Sequence, residues 1–177
     1  MRSNLHWIPA AAVAVMGTSV HAVTYLTVEQ ASQSIFPDER LVAAAFSLTP
    51  DQRKAVEKVS GVKVRTTEIR AWKSPSGGWL LVDDVVGKHE FITYALGLRS
   101  DGTILKIEVM DYRENYGDAV RKPEWRSQFV GKKHGQTLKL GEDIRNVSGA
   151  TLSCQHITQG VRRLLAVHAL VLLSPPP

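Results

Sequence analysis

Cysteine is nearly absent. Cys154 is the one thiol in 177 residues, so an intramolecular disulfide framework and any Cys-x-x-Cys redox or zinc site are excluded. On a helix it reads as a small buried side chain. Aromatic residues are also few, at 7%, and none interleaves with a basic block; Lys132-Lys133 and Arg162-Arg163 are only doublets. The formal charge of +5 therefore reads as solvated surface charge, suited to an acidic or anionic partner and not to nucleic acid. No histidine pair has metal-ligand spacing, and His89-Glu90 lacks the second histidine of a zincin, so no metal is expected. The chain has no Gly-x-Ser-x-Gly elbow, no phosphate-binding Walker loop and no Gly-x-Gly-x-x-Gly. Long apolar runs are missing too: no stretch reaches the ~20 residues of a spanning helix.

What is present starts at the N-terminus. Arg2 precedes an apolar run from Trp7 to Met16, no acidic residue occurs before Glu29, and Val20-His21-Ala22 reads as a cleavage site. This pattern predicts a secretory signal peptide over residues 1–22, leaving 23–177 as one exported, periplasmic domain. A hydrophobic fraction of 44% is enough for that domain to build a packed core.

Two capping boxes follow, Thr27-x-x-Gln30 and Thr49-Pro50-x-Gln52, and predict two helices within 23–61, the second ending near Gly61. From Val62 the period becomes two. Strands are expected at 62–65, 79–82 and 83–86, 91–98 and 104–110, with turns at Ser74–Gly78 and at Asp101-Gly102. Asp83-Asp84 reads as strand-end surface. An irregular stretch covers 111–139. A last helix starts near Leu152 and carries Ile157, Val161, Leu164, Leu165 and His168 on one face, with His168 near a C-terminus where positive charge is favourable. Helices, then short-looped strands, then a helix predict an α+β fold built on a twisted antiparallel sheet.

One segment draws chemical interest: Asn146-Val147-Ser148-Gly149-Ala150-Thr151-Leu152-Ser153 leads small residues and hydroxyls straight into that last helix. Gly149 and Ala150 leave the backbone open to a ligand. The unpaired N–H groups and positive dipole end of a helix favour a phosphate there. Spacing alone favours an ordinary serine or threonine cap with a glycine before it. Asn146-Val147-Ser148 also matches a glycosylation sequon, a pattern short enough to arise by chance.

Ser148-Gly149-Ala150-Thr151 followed by Leu152-Ser153 resembles the attachment motif of the FMN-binding domain family, which includes the C subunit of the sodium-translocating NADH:quinone oxidoreductase, the Rnf G subunit and NosR-type periplasmic domains. Gly87–Tyr94 is similar to the family's opening strand. Tyr112–Gly117 resembles its flavin-lining segment, and Trp125–Phe129 with Gly131-Lys132 resembles the stretch before the attachment loop. The resemblance covers about 78–166 and leaves 23–61 as a helical extension. It implies that the C-terminal helix follows a flavin-attachment loop. It also implies FMN joined by a phosphoester to Thr151, attached by a dedicated flavin transferase. Ser148, Gly149, Ala150, Leu152, Ser153, Glu114, Asn115, Tyr116, Gly117 and Trp125 are the implied cofactor neighbours, and Arg126 and Lys132 are candidates to offset phosphate charge. Where the family usually has an aspartate, three residues before the serine, this chain has Arg145, with Asp143 two residues further back. The implied role is electron transfer with a membrane-bound or periplasmic redox partner, with the flavin doing the redox step and no catalytic residue of the protein's own. Two other readings stay open: a redox-sensing or assembly module holding FMN non-covalently, and a flavin-dependent reductase of a small substrate.

Overall fold

The computed structural model describes residues 23–114 and 117–173. The expected signal peptide, Asn115 and Tyr116 lie outside the described residues.

The chain runs β1 (Val23–Thr24), α1 (Val28–Ile35), β2 (Val42–Ala43), β3 (Phe46–Ser47), α2 (Pro50–Ser60), β4 (Glu68–Lys73), β5 (Trp79–Val86), β6 (Phe91–Leu98) and β7 (Ile104–Tyr112). Short turns of helix at 118–129, including α3 (Pro123–Arg126), lead to α4 (Thr151–Val167) and a terminal π turn at His168–Leu172. The strands form one antiparallel sheet in the order β1-β7-β6-β5-β4-β2, with β3 also on β4. This is the expected α+β architecture. Among the described residues no helix is long and apolar enough to cross a membrane.

Local chemistry accounts for the helices. Thr27 and Gln30 cap α1 reciprocally, as Thr49 and Gln52 cap α2, each satisfying two backbone donors that the first turn leaves unpaired. Gly61 ends α2 as expected. The segment 23–61 also contributes strands β1 to β3, each too short to show a period.

Strand alternation then sorts the sheet's two faces. Leu80, Val82, Ala95 and Met110 point to one side and bury Ala31, Ile35 and Phe36 of α1 and its end. Leu81, Val85, Ile92, Tyr94 and Leu96 point to the other and pack against Cys154, Ile157, Val161, Leu164 and Leu165 of α4, with Val56 of α2 in the same core. Gly160 is where α4 comes closest: a Cβ there would run into Tyr94 Oη and lie 2.9 Å from Val85 Cγ1.

Three expectations are corrected. Val62–Arg65 is not a strand, although it alternates. Its backbone groups are satisfied by side chains: Val64 N–H donates to Glu57 (2.8 Å), Val62 N–H to Ser60 Oγ (3.2 Å), and Arg163 donates to Lys63 O (3.1 Å). Asp83 is not strand-end surface. It lies mid-strand, faces α4, pairs with Arg163 and accepts from Tyr94 Oη at 2.9 Å, with both ionic side chains nearly buried. Burial first, and then the Asp83 charge, push the Tyr94 phenol well above its ordinary value, so it remains a donor. His168 is not a cation at a helix end. It is buried against the β6–β7 turn at Gly102, and burial holds its imidazole below the usual range. Cys154 is buried as expected, and desolvation raises its thiol pKa.

Candidate flavin site

Three chain segments meet at one end of the sheet. The turn joining β5 to β6 supplies Lys88, His89 and Glu90; the end of β7 supplies Arg113 and Glu114; the loop entering α4 supplies Gly149 to Ser153. Together they line a cleft of about 790 Å³, within the usual ~300–1,000 Å³ of small-molecule sites.

The loop explains itself residue by residue. Ile144 is fully buried and anchors its start. The Ala150 N–H donates to Val147 O at 2.9 Å, closing a tight turn with Gly149 at φ +82°. Nothing lies within 4 Å of where a Gly149 Cβ would be, so the backbone is open to the cleft. Ala150 is buried and precedes α4 without any side-chain cap. The first intrahelical bond comes from the Cys154 N–H to Ala150 O, so the N–H groups of Thr151, Leu152 and Ser153 have no intrahelical acceptor. Thr151 and Leu152 are exposed on the cleft wall; Ser153 is buried, its Oγ 3.3 Å from Tyr112 Oη. Ser148 is exposed in the turn just outside the lining.

Gly117 abuts this loop. It takes φ +85°, and a Cβ there would lie 2.9 Å from Tyr112 Oη and 3.1 Å from both Ala150 Cα and Gly149 O. Only glycine meets both conditions. Glu114 lines the cleft, yet its Oε1 accepts the N–H groups of His89 and Glu90, the latter at 3.0 Å, and so clamps the β5–β6 turn to the end of β7. Burial raises its carboxyl pKa, and the N–H groups of Glu90, His89 and Lys88 outweigh that and hold it below the ordinary value.

Trp125 is not brought to this cleft. It is buried edge-on to Phe129, and its Nε1 donates to Arg145 O at 2.9 Å. It forms part of an adjoining groove with Ala119, Val147 and Asn146. The Arg126 and Lys132 charges are taken up elsewhere, by Glu108 and by Asp143 respectively, the latter pair at 2.8 Å. Lys88 and Arg113, which fall in the segments read as an opening strand and a flavin-lining stretch, are the cations that line the cleft, with Arg113 paired to Asp111 at 2.8 Å. Their position at a hairpin tip and a strand end next to the loop entering α4 follows from sheet register, which no local pattern reveals. Among the described residues no three His, Cys, Asp or Glu side chains gather to hold a metal.

An anionic, partly apolar ligand fits this lining: helix N–H groups with no intrahelical acceptor, the Lys88 ammonium, an open glycine and the Leu152 side chain. Residues 87–166 match the family model of the FMN-binding domain, a span that takes in every wall of the cleft. Among solved structures, the C subunit of the Na(+)-translocating NADH-quinone reductase from Parabacteroides distasonis has a similar fold. The TM-score is 0.53 at 14% identity, over 77% of this chain and 80% of that one. No curated protein matches the chain.

Proposed function

We propose, for a chain that carries an FMN-binding domain at residues 87–166, that it is an exported electron-transfer protein whose FMN is joined by a phosphoester to Thr151. The observation that carries this reading is the exposed Thr151 hydroxyl in the first turn of α4, on the wall of the cleft and beside N–H groups with no intrahelical acceptor. In this reading those N–H groups and the Lys88 cation hold the phosphate, the Asp111-paired Arg113 stands beside it, and Gly149 lets it approach the backbone. Leu152 and the Gly117 backbone flank the ring. The bound flavin supplies the electron transfer, and the protein supplies tether, orientation and electrostatics, as a carrier and not an enzyme. A tether keeps the cofactor in place while a membrane-bound or periplasmic partner docks and leaves.

Mass spectrometry of the protein from the exported fraction tests this. A mass gain of FMN minus water is expected on the peptide containing Thr151, and none in Thr151→Ala. An unmodified peptide from cells with a working flavin transferase would refute it. A second reading, a sensory or assembly module holding FMN non-covalently, draws on Arg145 standing where the family usually has an aspartate. Asp143, two residues further back, is engaged by Lys132 and accepts the Lys139 N–H at 2.8 Å. A yellow protein that loses its flavin on denaturation would favour that reading.

A further inference from the structure

The Thr151 hydroxyl receives a hydrogen bond from a side chain outside α4: Asn146 Nδ2 donates to Thr151 Oγ1 at 3.0 Å. Asn146 sits in an exposed stretch whose backbone is nonetheless held on both sides. The preceding Arg145 N–H donates to Gln128 Oε1 at 2.8 Å, and Arg145 O accepts from Trp125 Nε1 at 2.9 Å. The following Val147 packs against the core and accepts the Ala150 N–H. The short helical segment 123–129 thus works as a bracket whose product is the location of the Asn146 amide.

The direction of this bond matters chemically. An amide N–H occupies one lone pair of Oγ1. It leaves the second lone pair available to form a bond and leaves the hydroxyl proton free to depart. It also selects one orientation of a side chain that is otherwise exposed and free to turn. We infer that Asn146 is a positioning residue for flavin attachment, holding Thr151 Oγ1 in the orientation from which it attacks phosphorus. The inference rests on Thr151 being the attachment site. In the step it serves, the Oγ1–P bond forms and the pyrophosphate P–O bond of a flavin dinucleotide breaks. The nucleoside monophosphate leaves with the electron pair, and the hydroxyl proton passes to a base of the transferase.

The test follows covalent flavin incorporation into the full mature chain, by intact mass, with a purified flavin transferase and flavin adenine dinucleotide. Asn146→Ala and Asn146→Asp both remove the donor and should each lower kcat for incorporation about tenfold, the effect of one net hydrogen bond. KM for the protein and the urea unfolding midpoint should stay unchanged, since Asn146 is exposed. Serine turns more freely than threonine, so Asn146→Ala should cost more in a Thr151→Ser background than in the wild type. Equal rates for wild type and Asn146→Ala would overturn this inference alone, as would a rise in KM at constant kcat, which marks recognition. No incorporation into the wild type would overturn the attachment reading and this inference with it.

Discussion

Replacing Gly160 with alanine puts a methyl group where α4 crosses β5 and β6. That methyl would meet the Tyr94 hydroxyl and Val85 Cγ1, closer than real Cβ atoms approach their neighbours. Either α4 lifts or Tyr94 turns aside. Overpacking of this kind costs about 1–3 kcal/mol. If Tyr94 yields, it also loses the 2.9 Å bond to the Asp83 carboxylate, and hydrogen bonds to charged groups are worth about 1.5–3 kcal/mol. Against this, alanine is favoured over glycine in a helix interior by about 1 kcal/mol. The balance is a net destabilisation of at most about 2 kcal/mol if α4 lifts and about 1.5–5 kcal/mol if Tyr94 yields, against the ~5–15 kcal/mol that holds a typical domain folded. Urea unfolding of the protein at pH 7.5 measures it as a lower midpoint at unchanged slope. The Tyr94→Phe background supplies the control: without the hydroxyl, most of the collision is gone, and the cost of Gly160→Ala should fall to about 1 kcal/mol or less, the remainder coming from Val85. The same cost in both backgrounds, or a Gly160→Ala protein more stable than wild type, would refute the close approach as the reason for this glycine.

Other outcomes follow from the same contacts. Removing Arg163 by Arg163→Met leaves the nearly buried Asp83 with Tyr94 as its remaining donor and should cost about 3–5 kcal/mol in urea unfolding. Adding Asp83→Asn should recover part of that loss, and strict additivity would contradict the ion-pair account. His168, held neutral by burial, has a folded pKa below its unfolded value near 6.5. Its contribution is present above pH 6.5 and lost as the pH falls through the folded pKa. Wild type should therefore lose more stability than His168→Gln between pH 7.5 and 5.5, and parallel pH profiles would exclude the effect. Glu114→Ala should speed amide hydrogen exchange at His89 and Glu90, corresponding to about 1–2 kcal/mol of local opening. Because the Glu114 pKa is lowered, the wild-type clamp should hold above pH 4.5 and be lost as the pH falls through the folded value. Unchanged exchange in Glu114→Ala would show that the turn holds itself.

The sequence by itself determined those features whose causes lie within a few residues. The Thr27 and Thr49 capping boxes, the Gly61 terminus, the Asp101-Gly102 turn and the alternating strands 91–98 and 104–110 all formed as local hydrogen bonding and side-chain period require. The run from Ser148 into α4 was legible for the same reason: small residues, a glycine turn and a helix start are neighbours in the chain. Tertiary structure decided whatever depends on partners far along the chain. Val62–Arg65 alternates like a strand, but side chains from α2 and α4 satisfy its backbone before a neighbouring strand can. Asp83 looks like a surface charge until α4 covers it, and His168, on the helix's apolar face, loses its expected charge where the β6–β7 turn buries it. In the cleft, the loop entering α4 and Glu114 were legible in the sequence, while the charge partners of the lining residues were not. Sheet register brings Lys88 and Arg113 to the cleft, pairs Arg113, Arg126 and Lys132 with carboxylates, and gives Glu114 to the turn amides. Burial and pairing are set by which strands become neighbours, and a local pattern carries no information about that choice.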